Sequence, residues 1–166
     1  AERMDPCAEV GELIAQAIRP DPPATLQDGG VIAPGFSPEL DKLKEDSQHA
    51  RQWVARLEQV ERERTGVKSL KVGYNKVFGY YIEVSQANQD LVPSDYIRKQ
   101  TLMGAERYIT PELKEQESLI LTAQERILEI ERTLFQEVCQ QVGAAAHRVA
   151  ETARALAHLD VVLGLA

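Results

Sequence analysis

The sequence predicts an α+β protein, mainly α, in which two long antiparallel helices carry a small antiparallel four-stranded β-sheet. Apolar residues recur at steps of three and four on both sides of a central stretch, the stretch itself alternates with period two, and it holds all five tyrosines. At 166 residues the chain is about one domain in size. Its 19 basic and 26 acidic residues give a formal charge of −7, which argues against a surface that coats nucleic acid or anionic membrane throughout. A local basic region remains compatible with that balance.

Residues 5–18 have the pattern of a short helix. Asp5 can cap it, Pro6 suits its first position, and Val10, Leu13, Ile14, Ala17 and Ile18 form one apolar stripe before Pro20 ends it. Asp21 to Phe36 contains three glycines and three prolines, so residues 1–36 are expected to be a helical piece and a connecting loop. Ser37-Pro38-Glu39 is a helix start, after which Leu40, Leu43, Ser47, Ala50, Trp53, Val54, Leu57 and Val60 predict one arm over 37–66, ended by Gly66.

Thr110-Pro111-Glu112-Leu113 repeats the start signal for a return lever helix, followed by a core helix, within 110–166. Its stripe runs through Ile120, Ile127, Ile130, Leu134, Val138 and Val142 and continues to Val149, Leu156, Leu159 and Leu163. About fifty helical residues reach roughly 80 Å, with Gly143 a candidate interruption. Such a helix needs a partner for its stripe. The 37–66 arm covers the first half, with Trp53 buried between the arms, while the part past Val142, including the apolar LDVVLGLA, calls for further chain or a second copy.

Residues 67–109 form the β insert. Leu70, Val72 and Tyr74 alternate with Lys71 and Gly73, and Tyr80, Ile82 and Val84 alternate with Tyr81 and Glu83. Asn75 to Gly79 reads as one hairpin turn, and Met103-Gly104 as a second, between YIRKQTL and ERYIT. If the strands leave and return to the helices in alternation, both turns lie at one far tip and QANQDLVPSD lies at the helix side. Six basic residues (Lys68, Lys71, Lys76, Arg98, Lys99, Arg107) face four acidic ones (Glu83, Asp90, Asp95, Glu106), so the insert carries +2 within an acidic chain.

A tip with Lys76, Arg98, Lys99 and Arg107 beside Gly-containing turns suits phosphate oxygens, which accept from ammonium, guanidinium, amide and backbone N–H alike. Two to four neutralised phosphates would give a salt slope of about −2 to −4. The plain alternative is a solvated sheet edge, where lysine discourages aggregation. The tyrosines fit cross-strand packing better than stacking on bases, which needs unpaired nucleotides.

The runs LQDGGVIAPGFSPELDKL, RLEQVERERTGVKSLKVGYNKVFGYYIEVS, VPSDYIRKQTLMGAERYITPELKE and ALAHLDVVLGLA resemble the MutS family of DNA mismatch repair proteins, in the lever region with its inserted clamp. The likeness covers about Leu26 to Leu163. It implies sequence-independent contact with the backbone of double-stranded DNA. Carried over by position, the contacts are Asn75 and Lys76 in the first turn and Thr101, Met103 and Gly104 in the second, with Arg98, Lys99 and Arg107 as supporting charge. Residue 103 is Met where some family members place Lys, so backbone donation is what remains there.

The resemblance also implies, for the intact protein, ATP and Mg²⁺ as cofactors, the remainder of MutS, a second subunit and downstream repair factors as partners, and a cytoplasmic, nucleoid-associated setting. A phosphate loop G-x-x-x-x-G-K-[ST] does not occur in these residues, so no ATP hydrolysis is expected of them. Phe135-Gln136-Glu137 imitates the family's mismatch-reading spacing but lies in a helix stripe and is not transferred.

His147, Glu151, Arg154 and His158 share a helical face, yet an arginine lies among them and a third ligand is lacking, so a solvated face is expected. Cys7 and Cys139 are far apart without CxxC spacing, which predicts neither a disulfide framework nor a thiolate metal site. No apolar run reaches the length of a membrane span. The alternative to a DNA clamp is a coiled-coil module that binds protein through its arms.

Overall fold

The computed structural model describes residues 5–164; the expectations for residues 1–4 and 165–166 fall outside them. In chain order it contains α1 (Ala8–Ala17), α2 (Pro38–Thr65), β1 (Lys71–Asn75), β2 (Gly79–Ser85), a 3-10 segment (Gln86–Leu91), β3 (Ile97–Leu102), β4 (Ala105–Ile109), α3 (Pro111–Ala144) and α4 (Ala146–Gly164). The fold is α+β and mainly helical, with the four strands in one antiparallel sheet of order β1-β2-β4-β3. Two compact units divide the chain, Lys42–Arg126 and the remainder up to Asp41 and from Ile127 on.

In the unit built from both ends of the chain, α1 starts later than the proline rule predicts. Cys7 adopts φ 47° ahead of the helix, and the Asp5 carboxylate accepts from the Cys7 N–H at 3.0 Å, closing a turn rather than capping α1. Arg148 of α4 holds Glu9 at 2.6 Å and also pairs with Asp5. The loop after α1 is tied by the Ile18–Ile32 bridge and by Ala33 N–H to the Ala17 carbonyl, with Ala17 and Ile32 wholly buried. Glu131 of α3 is also buried and accepts the N–H groups of Gly30 and Val31, so two loop donors are satisfied by one helix side chain.

The return arm is two helices. α3 ends at Ala144, α4 begins at Ala146, and the Ala145 N–H bonds back to the Val142 carbonyl in a tightened last turn just past Gly143. α3, with 34 residues, is therefore about 51 Å long.

The other unit holds the sheet and its core. Ala50, Val54 and Leu57 of α2 and Leu113 and Ile120 of α3 enclose Val67, Leu70, Ile82, Val84, Tyr96 and Tyr108, with Trp53, Val72 and Tyr80 partly buried against them. Apolar alternation explains which sheet face is covered: Ile82 and Val84 point into this cluster, while Tyr81, Glu83 and Arg107 lie on the opposite face. Gly66, at φ 73°, ends α2 with its N–H on the Arg62 carbonyl.

Candidate nucleic-acid interface

The sheet register corrects the expected geometry of the two turns. Asn75 pairs with Gly79 at the end of the sheet where β4 passes into α3, whereas Ser85 and Leu102 both pair with Ala105 at the other end. The two turns therefore lie at opposite ends, and the shared tip does not exist. The cause is local. The chain overshoots α2 through Gly66–Leu70, and β1 then runs back beside the helix, with Arg62 donating to the Leu70 carbonyl at 2.8 Å and Glu58 accepting the Val72 N–H at 2.9 Å. QANQDL, expected at the helix side, is instead the 3-10 segment at the Gly104 end, where the Gln86 N–H reaches the Gly104 carbonyl at 2.9 Å.

The carried-over residues separate accordingly. Thr101, Met103 and Gly104 are exposed at the free end, where Gly104 takes φ 89°. Asn75 and Lys76 lie in the turn beside α3, and the Asn75 side chain is occupied in holding the Val77 N–H at 2.7 Å. Lys76 and Lys99 are exposed, with no ion pair among the described residues. Lys99 marks a bulge in β3, where the register shifts between Arg98 and Gln100.

The two arginines are already engaged. Arg98 pairs with Glu106 at 3.1 Å, and Arg107 pairs with Glu83 at 2.9 Å, donates to the Gln100 side-chain oxygen at 3.0 Å and lies 4.2 Å over the Tyr81 ring. Arg107 is largely covered in this way, whereas the Arg98 side chain stays 63% exposed beside its partner. Sequence reasoning missed the polar group at the Gly104 end, where Asn88 donates to Ser85 at 2.9 Å and to Ser69 at 3.1 Å. The adjoining run of small and amide residues in SQANQ was the signal for it. A groove lined by His49, Gln52, Trp53, Arg56, Leu57, Val60 and Glu61 of α2 and Glu112 of α3 includes none of the carried-over residues.

Two carboxylate–tyrosine pairs hold the sheet's inner face together. The Tyr108 hydroxyl donates to Glu106 at 2.6 Å, the Tyr96 hydroxyl donates to Glu61 at 2.7 Å, and the two rings meet at 5.6 Å. Burial, and then the Glu106 hydrogen bond, push Tyr108 up to about 12, and burial followed by Glu61 raises Tyr96 as well. Glu106 is held below the usual carboxylate range, first by the Tyr108 hydroxyl and then by the Arg98 charge.

Both phenols keep their protons in the folded state at a pH where the unfolded chain releases them. Stability is therefore full below about pH 10 and falls as pH rises toward 12. Urea midpoints measured at pH 8 and 11 should show this fall, and the Tyr96→Phe/Tyr108→Phe chain should lose less over the same interval. An identical drop in both chains would trace the alkaline loss to other groups.

A family model described as MutS family domain IV matches residues 35–126. The chain is 53% identical over 158 residues, 95% of its length, to DNA mismatch repair protein MutS of Methanosarcina acetivorans, and covers 18% of that protein. It is 51% identical over 166 residues, 100% of its length, to the protein of the same name from Pelotomaculum thermopropionicum, covering 19% of it. With the Acetivibrio thermocellus protein, again called DNA mismatch repair protein MutS, identity is 50% over 163 residues and coverage is 98% of this chain and 19% of the relative. The chain thus spans about a fifth of the length of these relatives.

Proposed function

The chain belongs to the MutS family of DNA mismatch repair proteins, and we propose that its sheet is a clamp that meets the phosphate backbone of duplex DNA without reading sequence. The observation that carries this reading is the Gly104 end, where an exposed positive-φ turn and the exposed Thr101 lie at the end of the sheet that also holds Ser85 with its partners Ser69 and Asn88, and the exposed Lys99 follows farther back along the β3 edge. Such donors satisfy phosphate oxygens and distinguish no base. Arg107 then acts chiefly by shaping the sheet, and Arg98 adds exposed charge on the same strand as Lys99. Asn75 and Lys76, roughly 23 Å away along β2, form a separate and weaker contact.

In the whole protein, α2 and α3 would pass the state of the clamp to an ATPase that binds ATP and Mg²⁺, in company with the rest of the chain, a second subunit and downstream repair factors. The length of the two helices suits that role. The exposed Val149, Leu156, Leu159 and Leu163 on α4 support protein contact along that helix, beside the clamp function rather than instead of it.

Fluorescence anisotropy with a labelled homoduplex at two salt concentrations tests the clamp. Lys99→Glu should weaken binding alike for every sequence and for matched or mismatched duplex, and should flatten the salt slope by about 1. Lys76→Glu should do less. A mismatch preference in the chain, or unchanged binding in the Lys99→Glu/Lys76→Glu variant, would leave the protein-binding alternative in its place.

A further inference from the structure

Both helices treat the β1–β2 hairpin in the same way. On α2, Glu58 and Arg62 are ion-paired at 2.8 Å; the carboxylate accepts the Val72 N–H at 2.9 Å and the guanidinium donates to the Leu70 carbonyl at 2.8 Å. On α3, Lys114 and Glu117 are ion-paired at 2.8 Å; the carboxylate accepts the Tyr80 N–H at 3.2 Å and the ammonium donates to the Phe78 carbonyl at 2.7 Å. Each helix thus presents one acceptor and one donor to strand backbone, as a neighbouring strand would. The spacings within the pairs are i,i+4 and i,i+3, the two that place side chains on one helical face.

β1 is an edge strand, and edges normally leave backbone groups to solvent. Here Glu58 and Arg62 cover that edge. On the α3 side, a Cβ built on Gly79 would overlap the Glu117 carboxylate, so the close approach depends on a glycine with φ 86°.

We propose that Glu58–Arg62 and Lys114–Glu117 are a matched pair of backbone clips that make the β1–β2 hairpin the anchored root of the sheet. Helix position is delivered through them to the free Gly104 end. These four are positioning residues: none of them touches the proposed DNA contacts at that end. Only the second half of the proposal, delivery to the DNA-binding end, rests on the clamp reading.

Amide hydrogen exchange on the full 166-residue chain tests the clips directly. Alanine at either carboxylate keeps helix propensity, so a change in the sheet is not a consequence of a weakened helix. In Glu58→Ala the Val72 amide should exchange about tenfold faster or more, with Tyr80 unchanged; in Glu117→Ala the Tyr80 amide should respond and Val72 should not. Amides of β4 paired to β2 should keep their protection in both. Unchanged Val72 and Tyr80 amides, or equal acceleration throughout the sheet, would overturn the clips, the latter by showing general destabilisation.

Duplex anisotropy on the Glu58→Ala/Glu117→Ala chain tests the delivery. Binding should weaken several-fold with the salt slope kept, because no phosphate contact is removed. If the exchange pattern appears and duplex affinity is unchanged, delivery through the clips is wrong. If the unsubstituted chain does not bind duplex at all, the clamp reading fails while the exchange result still decides the clips.

Discussion

Replacing Ile82 by alanine should lower the stability of the sheet-containing unit by about 2–5 kcal/mol. Ile82 is wholly buried at the middle of β2, opposite Tyr108, and belongs to the cluster that α2, α3 and the sheet build together. Removing its outer carbons forfeits their transfer free energy and leaves a void. The helices on one side and the β4 pairing on the other restrict the collapse that would refill it. Against a total of about 5–15 kcal/mol for a domain, this is a large share. Ile82→Val should lose only about 0.5–1.5 kcal/mol. Denaturant titration of both chains checks the pair, and equal losses would mean that Ile82 is not confined as described.

Gly79→Ala should follow, with a loss of about 2–4 kcal/mol. One part is backbone: φ 86° costs an L-residue about 1–2 kcal/mol. The other part is the Glu117 carboxylate, which the new methyl would displace from the Tyr80 N–H. Gly104→Ala provides the internal contrast, since its φ is 89° but nothing lies within 4 Å of the added carbon. It should show the backbone part alone. Glu117→Ala combined with Gly79→Ala should be less harmful than the two losses added, because the obstacle is gone before the methyl arrives. Strict additivity would show that the carboxylate moves aside freely.

Much of this architecture was legible in the chain. Ser37-Pro38-Glu39 and Thr110-Pro111-Glu112 announce the starts of α2 and α3, and Ser37 and Thr110 do cap them, the hydroxyls accepting from Leu40 and Leu113 N–H. Strand positions were equally readable, since alternation around Ile82 and Val84 reports a sheet with one covered face. What escaped was the direction of β1. Periodicity says that residues 70–74 form a strand but carries no sign for which way the strand points, and that was decided by side chains on α2, Glu58 and Arg62, at some distance in sequence. The misplacement of the Asn75 turn followed from that one error, whereas the Gly104 turn lies at the end away from α3, as expected.

The candidate interface was legible in composition more than in geometry. Lys99, Thr101, Met103 and Gly104 can be read as a basic turn, and the structure leaves all four exposed, Met103 and Gly104 at the sheet end and Lys99 at a bulge farther back along β3. Arg98 and Arg107 read the same way by charge, yet Glu106 and Glu83 lie within reach of them across the sheet. Cross-strand partners appear only once register is known, and a one-residue bulge at Lys99 is enough to change them.

The two helix attachments of the hairpin also differ in how far along the chain they reach. Arg62 meets Leu70 eight residues on and Glu58 meets Val72 fourteen residues on, while Phe78 and Tyr80 wait thirty-six and thirty-seven residues for Lys114 and Glu117. Loop closure grows costlier with separation, and a ribosome releases the nearer partners first. During synthesis, then, the hairpin can settle on the outgoing rod as soon as it emerges, and the returning rod closes the sheet's inner face later, bringing Lys114 and Glu117 together with the core side chains Leu113 and Ile120.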